Sequence, residues 1–183
     1  MDIPELKLVS GSYFQDERGF FSETYNYKRY CDMGINSDFV QDNFSLSTKT
    51  RTLRGLHFQA PPYAQGKLIR CGRGSIFDVA VDIRLDSPTF GQYKALELSE
   101  QNKKQFYIPV GFAHGFMTLE PNTEVLYKCT EYYEPKAEGS LYWNDQSLSI
   151  PWPFINNIII NQKDSSAPSL KSLKSPFIYG KNS

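Results

Sequence analysis

Hydrophobic and polar residues alternate along much of this chain, and such alternation is typical of a β-strand with one apolar face. The clearest run covers residues 77–84, where Phe77 and every second residue as far as Ile83 are apolar, while Asp78 and Asp82 stand between them. A turn signal, Gly72-Arg73-Gly74, precedes the run. The pattern predicts a strand in a sheet with a single apolar face.

Further runs have the same strand-like composition, and turn signals separate them. They cover residues 6–13, 39–47, 53–59, 67–71, 93–98, 105–109 and 123–132. Many short strands at this spacing, without helical patterns between them, predict an all-β fold, an antiparallel sandwich or barrel of the jelly-roll kind. Short helices are predicted only at about residues 24–33 and 169–174. We expect one domain over residues 1–183, with a core of about 6–168 and a C-terminal tail of 169–183.

Composition and charge narrow the possible ligands. A chain of 183 residues that is 40% hydrophobic and 22% charged suits an ordinary globular domain. The 20 Lys and Arg residues balance the 20 Asp and Glu residues, so the net charge gives no attraction to nucleic acid or to an anionic membrane. An anionic ligand would therefore have to be held by a local site.

The cysteines and the N-terminal sequence predict a reduced, cytoplasmic protein. Cys31, Cys71 and Cys129 are odd in number and lie in no CxxC pattern, which argues against a disulfide framework and against a thiolate metal site. The first residues show no basic and apolar leader pattern, and no apolar run approaches the length of a membrane span.

The most suggestive chemistry lies in the segment Arg54-Gly55-Leu56-His57-Phe58-Gln59, which Lys67 follows in the next strand-like run. His57 is one of only two histidines in the chain. Histidine titrates near neutrality and is the natural general base, while a nearby cation suits a substrate that carries or develops negative charge. The spacing equally allows a hydrogen-bonded structural histidine in a half-buried strand.

Three other segments concentrate polar and aromatic residues. Residues 16–23 place charged and aromatic side chains around a glycine, a pattern that also fits a solvated hairpin. Residues 111–116 place His114 between two glycines, a pattern that also fits a tight turn. Side chains alternate between the two faces of a strand, so Tyr127 in the run 123–132 and Tyr133 just beyond it are predicted to lie on the same face. A phenol can donate a proton and an aromatic ring can stack on a base, although such a stripe can also be simple core.

Nine motifs, in order along the chain, match a single family. They are DERGFF (16–21), QDN (41–43), LRGLHFQ (53–59), GKLIR (66–70), DVAVDIR (78–84), SPTFG (87–91), IPVGFAHGF (108–116), WND (143–145) and KD (163–164). On these motifs the chain resembles the dTDP-4-dehydrorhamnose 3,5-epimerases of the cupin superfamily.

The resemblance implies a cytoplasmic jelly-roll homodimer of the cupin type that acts as an isomerase in dTDP-rhamnose biosynthesis. Its substrate would be a nucleotide-linked 4-keto-6-deoxyhexose, inverted at C3 and C5 to convert dTDP-4-dehydro-6-deoxyglucose into dTDP-4-dehydrorhamnose. The C4 ketone acidifies the protons on C3 and C5, so the reaction needs a base, an enolate stabiliser and an acid. It needs no redox cofactor, and the resemblance implies no metal.

The resemblance also implies a role for each matching residue. His57 corresponds to the base, and Asp164 to the group that orients its imidazole. Lys67 corresponds to the group that stabilises the enolate oxygen, and Tyr127 to the proton donor. The positions that match substrate contacts, with Tyr133 as the ring that stacks on the base, are Arg18, Glu23, Gln41, Asn43, Arg54, His114, Tyr133, Glu138 and Lys163.

Departures from the family pattern leave alternatives open. Phe58 stands where tyrosine is common, Gly72 follows Cys71 where a bulky aliphatic pair is common, and residues 153–162 match only through their flanks. The nucleotide could be dTDP, GDP, CDP or UDP, and the reaction could invert one centre or be a 3,4-ketoisomerisation. A metal-dependent cupin is disfavoured because two histidines in separate segments make a poor ligand set. A non-enzymatic sugar-binding module would not need His57, Asp164 and Tyr127 together, so the presence of all three disfavours this alternative.

Overall fold

A computed structural model describes residues 3–181 and shows two five-stranded antiparallel sheets with a separate hairpin. The strands are β1 Lys7–Ser10, β2 Tyr13–Asp16, β3 Gly19–Ser22, β4 Gln41–Ser47, β5 Leu53–Gln59, β6 Lys67–Arg73, β7 Ser75–Asp82, β8 Tyr93–Ser99, β9 Lys104–Ile108, β10 Phe112–Thr118, β11 Thr123–Cys129 and β12 Glu138–Ser140. The helices are α1 Tyr27–Asp32 and α2 Gln162–Ser165, with a 3₁₀ turn at Pro135–Ala137. The predicted all-β jelly-roll class is confirmed.

The first sheet has the strand order β1-β9-β6-β11-β4, and the second has the order β12-β5-β10-β7-β8. One core cluster contains residues of both sheets, such as Ile69 of β6 and Ala80 of β7, and therefore lies between them. A second cluster combines Val79 and Val81 of β7 with Trp143, Trp152 and other residues that follow β12. The second sheet is therefore covered on both faces, by the first sheet and by the C-terminal segment.

This double cover corrects the prediction of a single apolar face for the strand at residues 77–84. The alternation is real, and Val79 and Val81 pack in the cluster under the C-terminal segment. The opposite face is not solvated, because Asp78 and Asp82 are both 0% exposed. Asp82 accepts hydrogen bonds from Arg84, Ser87 and Thr89, whereas Asp78 pairs with a histidine.

Several predicted boundaries were wrong. The helix expected at 24–33 is shorter, Tyr27–Asp32, and begins after the N-cap Asn26. Residues 169–174 form a turn, and the second helix lies earlier, at Gln162–Ser165. The run 123–132 ends as a strand at Cys129, and β6 continues through the predicted turn as far as Arg73.

Residues 111–116, for which the sequence allowed a tight turn, instead enter a central strand. β10 pairs with β5 on one side and with β7 on the other. Its composition, Phe-Ala-His-Gly-Phe-Met-Thr, lacks clear alternation because all seven of its residues are buried. Residues 16–23 do form a hairpin, built from β2 and β3.

The C-terminal region contributes to the core beyond the boundary that the sequence suggested. Phe177 lies in the segment assigned to the tail, yet it is 3% exposed and its ring packs edge-on against Phe58 of β5, with centroids 5.8 Å apart. Asn182 and Ser183, at the end of the predicted tail, lie outside the described residues. The assignment of the whole chain to one domain stays a prediction.

A bulge between β5 and β10 allows two polar side chains of β5 to face the barrel interior. The register shifts between His114, which lies opposite His57, and Phe116, which lies opposite Arg54. In a regular strand, residues three apart point to opposite faces, but one extra residue restores a shared face. The backbones meet closely here, since a Cβ on Gly55 would lie 2.5 Å from the Cα of Gly115.

We predict that Gly115→Ala lowers the free energy of unfolding by about 1 to 3 kcal/mol, the usual cost of overpacking. The added Cβ would lie 2.7 Å from the carbonyl oxygen of Arg54, which is backbone and cannot turn away. Chemical denaturation measures the change. Gly11→Ala is the matched control, because its Cβ would meet only side-chain atoms, the ring of Tyr13 at 3.3 Å and the Ser22 hydroxyl at 3.7 Å. Equal stabilities for the two variants would contradict the prediction.

Candidate active site

A hydrogen bond of 2.7 Å joins His57 Nε2 to Asp164 Oδ1 across 107 positions of sequence. The His57 side chain is 28% exposed, whereas that of Asp164 is 1% exposed. The second carboxylate oxygen of Asp164 accepts the backbone N–H of Gly55, at 3.0 Å. Because both oxygens are bound, the carboxylate is fixed behind the imidazole and orients it.

The segment before α2 brings Asp164 to this place. Ile159 bonds through its backbone to Arg51 and Leu53, at 2.9 and 2.8 Å, which ties the segment to the start of β5. The side-chain oxygen of Asn161 then accepts the backbone N–H of Asp164, at 2.7 Å, and caps the single turn of α2. The segment 153–162, which the sequence matched only through its flanks, thus positions the carboxylate that follows it.

The pKa of Asp164 lies below its ordinary value. Burial is the largest single influence and raises the pKa, but the hydrogen bonds from His57 and Gly55 together with the charge of Lys163 outweigh it. The carboxylate is therefore ionised near neutral pH and can stabilise a positive charge on His57.

Lys67 and Tyr127 lie on adjacent strands of the opposite sheet, β6 and β11. Burial lowers the pKa of the half-buried Lys67, while the fields of Cys129, Asp78 and Glu138 oppose the change. Burial also raises the pKa of the Tyr127 phenol, and the nearby Cys129 adds to this effect. A phenol is already protonated at neutral pH, and the raised pKa reinforces this state, which is the one that a proton donor requires.

These side chains meet around a cavity with two chambers. The outer chamber has a volume of about 310 Å³, and the inner chamber has a volume of about 230 Å³. The outer chamber is lined by Gln41, Asn43, His57, Phe58, Gln59, Gln65, Lys67, Tyr127, Tyr133 and Glu138. The inner chamber is lined by Ser45, Arg54, His57, Lys67, His114, Phe116, Tyr127, Asn161 and Asp164. His57, Lys67 and Tyr127 line both chambers and mark their junction.

The inner chamber contains a second histidine–carboxylate pair. Nε2 of His114 lies 3.0 Å from each carboxylate oxygen of Asp78. Burial lowers the pKa of His114, against the opposing charge of Asp78. Sequence reasoning identified His114 but not Asp78, because the aspartate was read as part of the polar face of a strand.

Polar contacts also organise the rim of the outer chamber. The Tyr133 hydroxyl donates to Glu138 at 3.0 Å, and the Lys163 ammonium lies 2.5 Å from the same carboxylate. The Gln41 side chain accepts the backbone N–H of Tyr133, at 2.9 Å, and donates to Asn43, at 3.1 Å. Burial raises the pKa of Glu138, but the bonds from Lys163 and Tyr133 more than compensate and leave it lowered.

Two residues of the predicted site lie away from the cavity of their own chain and from its rim. Arg18 is at the tip of the β2–β3 hairpin, where its side chain is 85% exposed and bonds to Asp16. Glu23 bonds to Arg29, at 2.9 Å. The other predicted site residues line a chamber, except Lys163, which reaches the rim through Glu138.

Some residues at this cavity were missed by sequence reasoning. Asn161, Ser45 and Gln65 line the chambers, and nothing in their local sequence distinguishes them from ordinary polar residues. Within residues 3–181, no group of three or more His, Cys, Asp or Glu side chains is placed to hold a metal ion. Neither helix in that range is long and apolar enough to cross a membrane.

Comparisons with known proteins point to one family of enzymes. The family model described as dTDP-4-dehydrorhamnose 3,5-epimerase matches residues 1–172. The dTDP-4-dehydrorhamnose 3,5-epimerase of Salmonella typhimurium is 52% identical over 169 residues, which are 92% of each chain. The enzyme of that name from Sinorhizobium fredii is 46% identical over 181 residues, 99% of this chain and 93% of the relative.

Solved structures show the same likeness. The RmlC of Legionella pneumophila, in complex with dTDP-4-keto-L-rhamnose, has a TM-score of 0.90 and 48% identity, covering 94% of this chain and 92% of that chain. The Bacillus anthracis epimerase, with TDP and PPi bound, has a TM-score of 0.88 and 48% identity, covering 90% of this chain and 94% of that chain. The protein is therefore a jelly-roll isomerase. It belongs to the dTDP-4-dehydrorhamnose 3,5-epimerase family, which confirms the resemblance stated from the sequence.

We predict that Asp164→Asn lowers the free energy of unfolding near pH 7 by about 1.5 to 3 kcal/mol, the usual worth of a buried hydrogen bond to a charged group. The folded pKa of Asp164 lies below its unfolded value of 3.8, so its ionisation stabilises the fold above that pH. The stabilisation is lost as pH falls through the lower, folded pKa. Urea denaturation of both proteins from pH 7 to pH 3 measures this. A stability difference that stayed constant over the range would contradict it.

Proposed function

We propose that the protein converts dTDP-4-dehydro-6-deoxyglucose into dTDP-4-dehydrorhamnose by inverting C3 and C5 through an enolate. The observation that carries this is the position of His57, Lys67 and Tyr127 at the junction of the two chambers. Membership of the epimerase family supports the substrate, and the Legionella relative holds dTDP-4-keto-L-rhamnose in its solved complex.

His57 removes a proton that the C4 ketone has acidified. Asp164 orients the imidazole and stabilises the imidazolium that forms, as the carboxylate does in other histidine dyads. Lys67 stabilises the negative charge that develops on the ketone oxygen. Because its ammonium is partly removed from water, its attraction to that oxygen is stronger than it would be at the surface. The reaction needs no metal or redox cofactor because the substrate itself supplies the acidity.

Inversion requires a proton to leave one face of the sugar ring and another to arrive at the opposite face. His57 lies on the second sheet, and Tyr127 lies on the first. The base and the acid therefore approach the cavity from opposite walls of the barrel. Tyr127 holds its proton near neutral pH, since the ordinary pKa of a phenol is 10.0 and burial raises it further, so it can deliver the second proton.

The outer chamber suits the nucleotide. Tyr133 stacks on the base, while Gln41, Asn43, Glu138 and Lys163 bind the nucleotide and its phosphates. Arg54 and His114 lie deeper and bind the rest of the substrate. Product analysis by NMR separates this double epimerisation from single-centre epimerisation and from 3,4-ketoisomerisation, and competition assays identify the nucleotide.

We predict that Tyr127→Phe still exchanges the substrate protons with solvent but does not invert the carbon centres. Without the phenol, His57 forms the enolate and returns a deuteron to the same face in deuterium oxide. NMR reports deuterium content and configuration at C3 and C5. His57→Asn should abolish the exchange.

Tyr107→Phe is the matched control for this experiment. Its phenol is also buried, but it pairs with Ser37 at 2.8 Å and lines neither chamber, so normal turnover is expected. Inverted product from Tyr127→Phe at the wild-type rate would show that Tyr127 is not the acid.

The proposed cytoplasmic enzyme is a homodimer whose hairpins complete the partner's site. Three phenylalanines of the β2–β3 hairpin, Phe14, Phe20 and Phe21, are each more than 60% exposed, as is Phe44 on the outer face of β4. Exposed apolar surface of this extent marks an interface in a soluble protein. The same hairpin carries Arg18, which lines neither chamber of its own chain. Docking against a second copy would bring Arg18 and Glu23 to the substrate there.

We predict that mixed dimers of Arg18→Ala and His57→Asn chains regain activity that neither homodimer has. In a mixed dimer, the site with an intact His57 receives an intact Arg18 from the other chain. Purified mixed dimers, selected with two different tags, should show about half of the wild-type turnover. If Arg18 acted within its own chain, both sites would remain defective and no activity would return. A monomeric wild-type protein in light scattering would refute the dimer itself.

A further inference from the structure

Ser45 lies in the wall of the inner chamber and has no assigned role. It is on β4, where residues 41, 43, 45 and 47 point inward and those between them are exposed. Asn43 and Gln41 of the same row line the outer chamber, so the row runs along the floor of the whole cavity. Ser45 is the member of the row that lines the inner chamber.

The Ser45 hydroxyl is buried and has no hydrogen-bond partner among the described residues. Buried hydroxyls are nearly always bonded, because an unpaired one costs about 1 to 3 kcal/mol. By contrast Ser47, the next residue of the row, accepts a bond from Arg54 Nε at 3.3 Å. Ser45 lines the chamber and no bond holds its hydroxyl in place, so rotation about the Cα–Cβ bond can turn the hydroxyl toward a ligand in the chamber.

The groups around Ser45 indicate which atoms of a ligand would bind there. The Arg54 guanidinium donates hydrogen bonds to the Ser47 hydroxyl and to the carbonyl oxygen of Leu46. Lys67 and His114 also line the inner chamber. Cationic and hydrogen-bonding groups of this kind suit oxygen atoms. A serine hydroxyl both donates and accepts, which suits a sugar hydroxyl or carbonyl better than it suits an apolar group.

We propose that Ser45 donates a hydrogen bond to an oxygen of the bound hexose and helps to select the sugar. The inference rests on the proposed function, which puts the base of the nucleotide against Tyr133 in the outer chamber. The reacting carbons must lie among His57, Lys67 and Tyr127, at the junction. The part of the substrate that extends beyond the junction, toward Ser45, is then the far edge of the hexose.

The test is Ser45→Ala, with Ser75→Ala as the matched control. Ser75 is a buried strand serine too, but its hydroxyl donates to Glu120 at 2.7 Å and lines neither chamber. We expect Ser45→Ala to lower kcat/KM for the dTDP-keto sugar about tenfold, to leave the affinity for dTDP unchanged, and to leave the melting temperature equal or higher. Ser75→Ala should show the reverse, a lower melting temperature with unchanged kinetics.

The alternatives give different results. A loss of dTDP affinity equal to the loss of kcat/KM would place the hydroxyl on the diphosphate and overturn the assignment to the hexose. A lower melting temperature with unchanged kinetics would show that Ser45 is structural. Failure of the proposed function is visible separately, because the wild-type protein would then neither turn over the dTDP-keto sugar nor bind it more tightly than dTDP.

Discussion

The covering of the second sheet on both faces is the constraint on which the site depends. Because the segment after β12 packs Trp143, Trp152 and Phe177 over the outer face, that face takes the apolar residues of β5, β7 and β10. The inner face is then free to carry polar groups such as Asp78 and His114 without loss of the core. The same segment delivers Asp164 to His57. One stretch of chain thus supplies both the apolar cover and the carboxylate.

The environment of the site reinforces the ordinary charge states of its acids. A phenol has an ordinary pKa of 10.0 and is protonated at neutral pH, and burial raises the pKa of Tyr127 further. A carboxyl group has an ordinary pKa of 3.8 and is ionised at neutral pH, and the hydrogen bonds of Asp164 with the nearby charge lower its pKa further in spite of burial. Two groups with opposite tasks can therefore share one cavity at neutral pH.

The sequence predicted the jelly-roll class and most of the charged and aromatic residues that meet at the cavity, because strand alternation and the family motifs are local features. It missed β10, since a strand buried on both faces has no alternation to detect, and it placed the second helix at 169–174 instead of Gln162–Ser165. The role of Asp78 depends on the pairing of β10 with β7, which no local pattern encodes. Arg54 and His57 share a face only through the bulge between β5 and β10.

The division of the proposed catalytic groups between two sheets has a further consequence for the chemistry. His57 stands on one wall, and Lys67 and Tyr127 stand on the other, so the distance between base and acid is the distance between the sheets. That distance is set by the side chains packed between them, among them Ile69, Ala80 and Phe106. Interiors are close-packed, so a change of even one methylene in this layer alters the spacing of the sheets. In the proposed mechanism, core residues that line neither chamber therefore influence the stereochemistry of the reaction, because the spacing of the sheets decides whether the proton donor reaches the ring face opposite the base.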